Sequence, residues 1–279
     1  MKFMCLADIH EDAHNWPKLV EEVNKQRPEL VLIAGDLFPK ENGILAQQSY
    51  LPQIKECAAE IREMGAELVL ITGNDDNKLL VPEMEKGDAE GLWHYVVDRV
   101  KFIKGYYFCG CPWVPDYPFP YKHWVAPETP GDIAMSSFQL DQPLKIDSHN
   151  QIEIIPDLGS YLAAKTSIQE LLENLLSMVN DLSKSIWLIH TPPAYLELDV
   201  CGSGDRVGST AVYSFLQENQ PMLSIHGHIH EAPKHNRNIW MAQLGRTKCI
   251  QAGQLSGSLY YVTFIIEEDQ IKDLTHSIY

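Results

Sequence analysis

Residues 224–230 read SIHGHIH and follow a short apolar run that predicts a strand. The stretch holds three histidines within five residues, and neutral imidazole is the commonest protein ligand for transition metals. A glycine between such ligands lets the backbone turn close to an ion. On an extended backbone His228 and His230 point in different directions, so we expect them to serve two ions rather than one. The alternative is a polar turn that happens to contain histidines.

The composition of the chain is that of a globular protein with a strong negative charge. Its 279 residues could form one large α/β domain or two smaller ones. Lysine and arginine number 22 against 38 aspartates and glutamates, which gives a net charge of −16. Such a surface disfavours non-specific binding to nucleic acid and acidic membranes. A phosphorylated substrate would therefore need a local positive centre, and a metal cluster would supply one.

The cysteines and apolar runs bear on location. Of six cysteines only Cys109 and Cys111 form a close pair, and no second pair stands at zinc-site spacing. The apolar run at the N-terminus is too short for a signal peptide. No apolar run reaches the 18 residues that indicate a membrane span. We therefore expect a cytoplasmic protein with reduced thiols.

Strands and helices alternate in the first part of the chain. Apolar runs predict strands at residues 3–7, 30–34 and 68–72, and helical patterns at 15–26 and 47–64 lie between them. This alternation indicates βαβ units and a parallel sheet. Further along, the patterns predict a leucine-rich helical region at 158–182, a strand at 186–189, a helix capped by Ser209, and antiparallel strands in the tail at 248–278.

Residues 105–156 interrupt this alternation with an excursion whose core, residues 111–121, is dense in proline and aromatic residues. Long excursions without regular structure are usually functional or disordered, and this many aromatics argue against disorder. We expect an ordered segment near the site, in which Trp113, Tyr117 and Phe119 shape a substrate pocket. A surface wrap without a role in binding is the alternative.

Potential metal ligands stand directly after five of the apolar strands. Ligands of open α/β sheets bind beyond the carboxyl ends of the strands, so we expect these side chains to meet. Oxygen and imidazole ligands together suit Mn, Fe, Zn or Ni. The candidate ligands are Asp8, His10, Asp36, Asn74, His190, His228 and His230.

The order D-x-H, G-D, G-N, H and G-H-x-H resembles the calcineurin-like metallophosphoesterase superfamily, and the resemblance extends from Asp8 to His230. It implies an α/β fold in which a two-sheet β-sandwich is flanked by helices, here as a single domain over residues 1–279 with the excursion at about 105–156. It also implies a binuclear metal site at one edge. By the same resemblance, one ion would be held by Asp8, His10 and His230, the other by Asn74, His190 and His228, with Asp36 bridging the two.

One position departs from that pattern. The family usually has histidine after the G-N asparagine, where it contacts the phosphate and can protonate the leaving group, whereas this chain has Asp75. Aspartate has a reference pKa of about 3.9, and nearby cations lower it further, so Asp75 would repel phosphate and make a poor acid. A surface turn residue is the alternative. His14 is a second candidate acid and Arg206 a candidate phosphate ligand, each set against a plain solvent-exposed role.

These observations predict a phosphoesterase with two divalent metal ions, in which a metal-bound hydroxide attacks a small phosphorylated substrate. Two cations roughly 3.5–4 Å apart can clamp a phosphate and stabilise the attacking and leaving oxygens. The substrate could be a phosphomonoester or a phosphodiester. The competing hypothesis is a catalytically weak or inactive scaffold of the same fold, which only Asp75 favours. A nuclease is opposed by the charge of −16 and the lack of a basic track.

Overall fold

The computed structural model describes residues 1–132 and 142–279, in which two six-stranded sheets and a small hairpin carry seven α-helices. Numbered along the chain, the strands are β1 (Lys2–Leu6), β2 (Leu30–Ala34), β3 (Glu67–Ile71), β4 (His94–Tyr95), β5 (Val100–Ile103), β6 (Tyr106–Cys111), β7 (Leu144–Ile146), β8 (Ile152–Ile154), β9 (Ser185–Ile189), β10 (Leu223–His226), β11 (Met241–Leu244), β12 (Thr247–Gln251), β13 (Tyr260–Glu267) and β14 (Gln270–Ile278). The helices are α1 (Asn15–Gln26), α2 (Leu51–Glu63), α3 (Val81–Ala89), α4 (Leu158–Ala163), α5 (Ile168–Leu176), α6 (Thr210–Asn219) and α7 (Ala232–His235).

Each large sheet has a parallel centre. The first sheet runs in the order β14-β13-β1-β2-β3-β4, with β1 to β4 parallel and β13 and β14 added antiparallel. The second runs β11-β12-β10-β9-β6-β5, with β12, β10, β9 and β6 parallel and an antiparallel strand at each edge. Parallel strands need covered faces, and both sheets have them.

The two sheets pack face to face, and helices cover their outer faces. In β9, Ile186 and Leu188 face the core between the sheets, whereas Trp187 and Ile189 face α5 and α6. This alternation is the period of two that a strand imposes on its side chains. Helices α1 and α2 pack on the first sheet in the same core cluster. The predicted sandwich flanked by helices is confirmed.

Several predicted boundaries need correction. Strand β6 belongs to the second sheet, so the irregular part of the excursion begins after Cys111 rather than at residue 105. Residues 133–141 of that excursion lie outside the described residues. The helical region at 158–182 is two helices, because Ser167 and Glu170 form a capping box that starts a new helix.

The strand pairing of the tail, residues 248–278, agrees only in part with the prediction. Strands β13 and β14 pair antiparallel as predicted. Strand β12 pairs antiparallel with β11 but parallel with β10, so the prediction of antiparallel strands is wrong for that side of β12. A short apolar run does not reveal the direction of its partner. Ser209 caps α6 as predicted, since its side chain accepts a hydrogen bond from the backbone N–H of Val212. Among the described residues no helix is long and apolar enough to cross a membrane.

Candidate metal centre

Seven polar side chains follow the carboxyl ends of β1, β2, β3, β9 and β10, and the structure brings all seven together at one edge of the sandwich. They form two groups. The first group is Asp8, His10, Asp36 and His230, whose ligand atoms all lie within 4.8 Å of one another. Within it, His10 Nε2 is 3.1 Å from His230 Nε2, and His230 Nε2 is 3.8 Å from Asp8 Oδ1.

The second group surrounds the side-chain oxygen of Asn74. His228 Nδ1 lies 2.6 Å from Asn74 Oδ1, and His190 Nε2 lies 3.0 Å from the same atom. Asp36 joins the two groups, because its Oδ2 is 3.3 Å from His190 Nε2 and 3.7 Å from His10 Nδ1. One carboxylate oxygen therefore faces both groups.

Three buried atoms of this cluster have no hydrogen-bond partner among the described residues. They are Asp8 Oδ2, His10 Nδ1 and Asp36 Oδ2. Buried polar atoms are nearly always paired, and an unpaired buried carboxylate is costly. Two carboxylates, an asparagine oxygen and four imidazoles form the mixed oxygen and nitrogen set that divalent transition metals accept. The residues present therefore fit metal ions.

The charge balance of the cluster points the same way. Burial lowers the pKa of His190 and His230, but the carboxylates outweigh it and raise the pKa of His190 to about 10 and that of His230 to about 9. A proton held there supplies the positive charge that the carboxylates favour, and a cation would supply it equally. Burial and the neighbouring histidines lower the pKa of His10 and His228 to about 3, so these rings are neutral and keep a free lone pair.

Glycines make this close assembly possible. A Cβ atom at Gly73 would overlap Asp36 Oδ1 and lie 2.6 Å from His190 Nε2. A Cβ atom at Gly227 would lie 2.9 Å from both carboxylate oxygens of Asp8. Both distances are below any ordinary contact, so these positions exclude larger residues.

Three residues of the cluster have left-handed backbones: Asp8 (φ 57°), Asp36 (φ 56°) and His228 (φ 71°). Residues other than glycine rarely adopt this conformation, and it concentrates at functional sites. The expectation that His228 stands on an extended backbone is therefore wrong. Its turn nevertheless sends His228 to the second group and His230 to the first, so the expected division of the two histidines is retained for a different reason.

The pattern of calcineurin-like phosphoesterases matches residues 1–232. The chain belongs to that family. The TT1561 protein of Thermus thermophilus shares its fold, with a TM-score of 0.61, 14% identity and coverage of 99% of this chain and 97% of that one. An archaeal protein described as a novel phosphodiesterase has a TM-score of 0.47, 11% identity and full coverage of both chains. Comparison with curated proteins found no match.

Asp75, the residue after Asn74, contacts both groups of the centre. Its Oδ1 accepts a hydrogen bond from Asn74 Nδ2 at 2.9 Å, and its Oδ2 lies 3.7 Å from His10 Nδ1. Burial and the neighbouring Asp36 raise the pKa of Asp75 to about 6. Its side chain is 31% exposed and it stands in the turn after β3, at the rim of the cluster.

Sequence reasoning missed the residues that orient the ligands. Glu11 Oε1 lies 3.1 Å from His230 Nδ1, which leaves His230 Nε2 facing the first group. His190 is oriented in the same way by the carbonyl oxygen of Ala34, 2.7 Å from its Nδ1. Such partners fix the ring and tautomer of a metal-binding histidine. The position of Glu11 directly after D-x-H was the available signal.

Asp76 is a second missed residue and supports the backbone of the site. It is fully buried and accepts hydrogen bonds from the backbone N–H groups of Leu37, Phe38 and Gly73. It therefore ties the loop after β2 to the loop after β3. These loops carry Asp36 and Asn74.

His14 and Arg206 have partners other than the seven candidate ligands. The side chain of His14 is 82% exposed, and its Nδ1 lies 2.9 Å from Asp12 Oδ1. Arg206 Nη2 lies 2.5 Å from Glu197 Oε1, although Arg206 lines a cavity that also reaches His228. Their proposed roles as acid and phosphate ligand stay predictions. His226 is the last residue of β10, and its Nδ1 lies 2.9 Å from the carbonyl oxygen of Ile189.

The aromatic residues of the excursion divide between two places. The rings of Tyr117 and Phe119 lie 5.8 and 5.7 Å from the His228 ring, so these two residues are beside the second group, as expected. Trp113 instead packs edge-on against Trp124 at 5.2 Å, and Lys78 Nζ lies 4.3 Å from its ring.

Proposed function

We propose that this chain hydrolyses phosphoesters at a centre of two divalent transition-metal ions held by the seven side chains of the two groups. The observation that carries this proposal is Asp36 Oδ2, a buried oxygen without a hydrogen-bond partner among the described residues, 3.3 and 3.7 Å from histidines of the two groups. A carboxylate in that place is suited to bridge two cations.

The residues of the chain would hold the ions and orient their ligands. The ions would supply the positive charge that neutralises a phosphate and lowers the pKa of water. Asn74, His190 and His228 define one side of the centre, and Asp8, His10 and His230 the other. Glu11 and the carbonyl oxygen of Ala34 hold two of the rings. Asp75 accepts a hydrogen bond from the Asn74 side chain. As an ionised carboxylate, it would not donate a proton to the oxygen of the leaving group.

The second candidate function is a binding scaffold without efficient chemistry, and Asp75 is the observation that favours it. Asp75 removes the family's usual acid but leaves the seven candidate ligands in place. The presence of all seven candidate ligands, with three of their buried atoms lacking a hydrogen-bond partner among the described residues, favours the enzyme.

Metal analysis combined with two substrates tests the proposal. The protein, purified and supplied with Mn²⁺, is assayed on bis(4-nitrophenyl) phosphate and on 4-nitrophenyl phosphate. We expect two ions per chain and measurable hydrolysis, both lost in Asp36→Ala. Two ions retained by Asp36→Ala would contradict the assignment of the centre. Two ions in the unchanged protein without hydrolysis of either ester would favour the scaffold.

A further inference from the structure

A cavity of about 640 Å³ opens beside the second group of the centre. This volume is within the range of sites that bury a small organic molecule. His228 lines the cavity. Its walls come from the irregular segment after β6, from α4 and from the loop before α6, and they include Pro115, Tyr117, Pro118, Leu162 and Val207.

A hydrogen bond near His228 joins the segment after β6 to the loop before α6. The Tyr117 hydroxyl donates a hydrogen bond to the carbonyl oxygen of Val207, and the Tyr117 ring lies 5.8 Å from the His228 ring. A phosphate group at the centre would therefore have the cavity directly beside it. An organic group attached to that phosphate would project between the two apolar walls.

The charges around the cavity are mostly negative. Its lining includes four carboxylates: Asp116, Glu128, Asp132 and Asp205. Arg206 also lines it but is paired with Glu197 at 2.5 Å, and the nearby Lys122 balances the charge of Asp116 at 2.7 Å. Glu128 accepts hydrogen bonds from the backbone N–H groups of Thr210 and Ala211. Together with Glu197, the lining therefore sets five carboxylates against two cations. A negatively charged occupant would meet these carboxylates and the net charge of −16.

We propose that this cavity binds the organic group of the substrate and selects phosphoesters whose organic group is bulky, apolar and either uncharged or cationic. Groups that carry further negative charge, such as additional phosphates or carboxylates, are rejected. This selection rests on the proposed phosphoesterase function, but it can be measured as binding without turnover.

The test uses methylphosphonate monoesters, which share one anionic head and differ in their organic arm. The arms are methyl, benzyl, 4-(trimethylammonio)benzyl and 4-carboxybenzyl, and affinity for the Mn²⁺-supplied full-length protein is measured by isothermal titration calorimetry. We expect the benzyl and ammonium esters to bind about tenfold or more tightly than the methyl ester. The carboxybenzyl ester should bind about tenfold more weakly than the benzyl ester.

Two variants assign the selectivity to this cavity. Val207→Trp fills it and should remove the advantage of the benzyl ester while leaving the methyl ester unchanged. Asp205→Lys should tighten the carboxybenzyl ester about tenfold. The matched control is Glu63→Lys, which makes the same charge change at an exposed position on α2 and should have no effect.

Equal affinities for the four esters, or an unchanged benzyl affinity in Val207→Trp, would overturn the proposal. Selective binding of these esters without hydrolysis of bis(4-nitrophenyl) phosphate or 4-nitrophenyl phosphate would leave the cavity assignment in place and overturn the proposed function. Hydrolysis of the nitrophenyl esters with equal binding of the four methylphosphonates would support the proposed function and overturn the cavity assignment.

Discussion

Asp75 Oδ1 accepts a hydrogen bond from Asn74 Nδ2 at 2.9 Å, and this bond turns the other end of the Asn74 amide, Oδ1, toward His190 and His228. Asp75 thus helps to orient a candidate metal ligand. It fixes which end of the amide faces the second group. A carboxylate suits this role because it only accepts hydrogen bonds when ionised.

Removing that acceptor should weaken the second metal position. We expect Asp75→Ala to lower the affinity for one of the two ions by about 10–100-fold, which is the usual cost of losing a partner of a metal ligand. Asp75→Asn keeps an acceptor oxygen and should bind metal nearly as well as the unchanged protein. Metal titration by calorimetry measures both. Equal affinities in Asp75→Ala and the unchanged protein would show that Asn74 is oriented by other contacts.

Glu11 should have the corresponding role in the first metal position. Its Oε1 lies 3.1 Å from His230 Nδ1 and 2.5 Å from Lys40 Nζ. We expect Glu11→Ala to weaken one ion by about 10–100-fold and Glu11→Gln to weaken it less, because glutamine still offers an acceptor oxygen. Asp12→Ala is the matched control, since Asp12 contacts His14 and Lys18 instead. A similar loss in Asp12→Ala would indicate a general disturbance of the loop.

The two groups should also lose metal separately. His10→Ala removes a ligand of the first group only and should leave about one ion per chain. His228→Ala should do the same for the second group. Elemental analysis after dialysis counts the ions per chain. Repeating the analysis with excess Mn²⁺ shows whether the missing ion can still bind weakly or cannot bind at all. Loss of both ions in each variant would mean that the positions are occupied only together.

The sequence predicted the centre better than its surroundings, for a physical reason. Each candidate ligand directly follows an apolar strand, and parallel strands bring their carboxyl ends to one edge. The left-handed backbones of Asp8, Asp36 and His228 were invisible, because none of these residues is glycine. The role of Asp76 was also hidden, because its partners are brought to it only by tertiary folding.

The sequence did not indicate which contacts hold the described part of the irregular segment after Cys111. Lys165 Nζ lies 2.8 Å from the carbonyl oxygen of Lys122 and 2.7 Å from that of Val125. Burial and the neighbouring Lys78 lower the pKa of Lys165 to about 7, so near neutral pH it is only partly charged. Lys165→Met should therefore destabilise the protein by about 1 kcal/mol, the usual net contribution of a hydrogen bond. Urea unfolding measures the change in the free energy of unfolding. The control is Lys184→Met, which makes the same substitution at a more exposed lysine just before β9. A change below about 0.5 kcal/mol, the range typical of surface substitutions, would show that the segment is held by its aromatic packing alone.

The sharpest prediction concerns the missing acid. The cations expected beside Asp75 would keep its carboxyl ionised, so the reaction should depend on how readily the leaving group departs without a proton. Proton transfer from a well-placed acid contributes about 10²–10⁴-fold, and that help matters least for phenolate-like leaving groups. We therefore expect activity on aryl phosphodiesters and much weaker activity on alkyl monoesters, whose second negative charge the Asp75 carboxylate repels. Asp75→His should raise kcat/KM for poor leaving groups more than for aryl ones, measured across esters of graded leaving-group pKa. A rate independent of the leaving group in the unchanged protein would mean that another residue, with His14 as the first candidate, already serves as the acid.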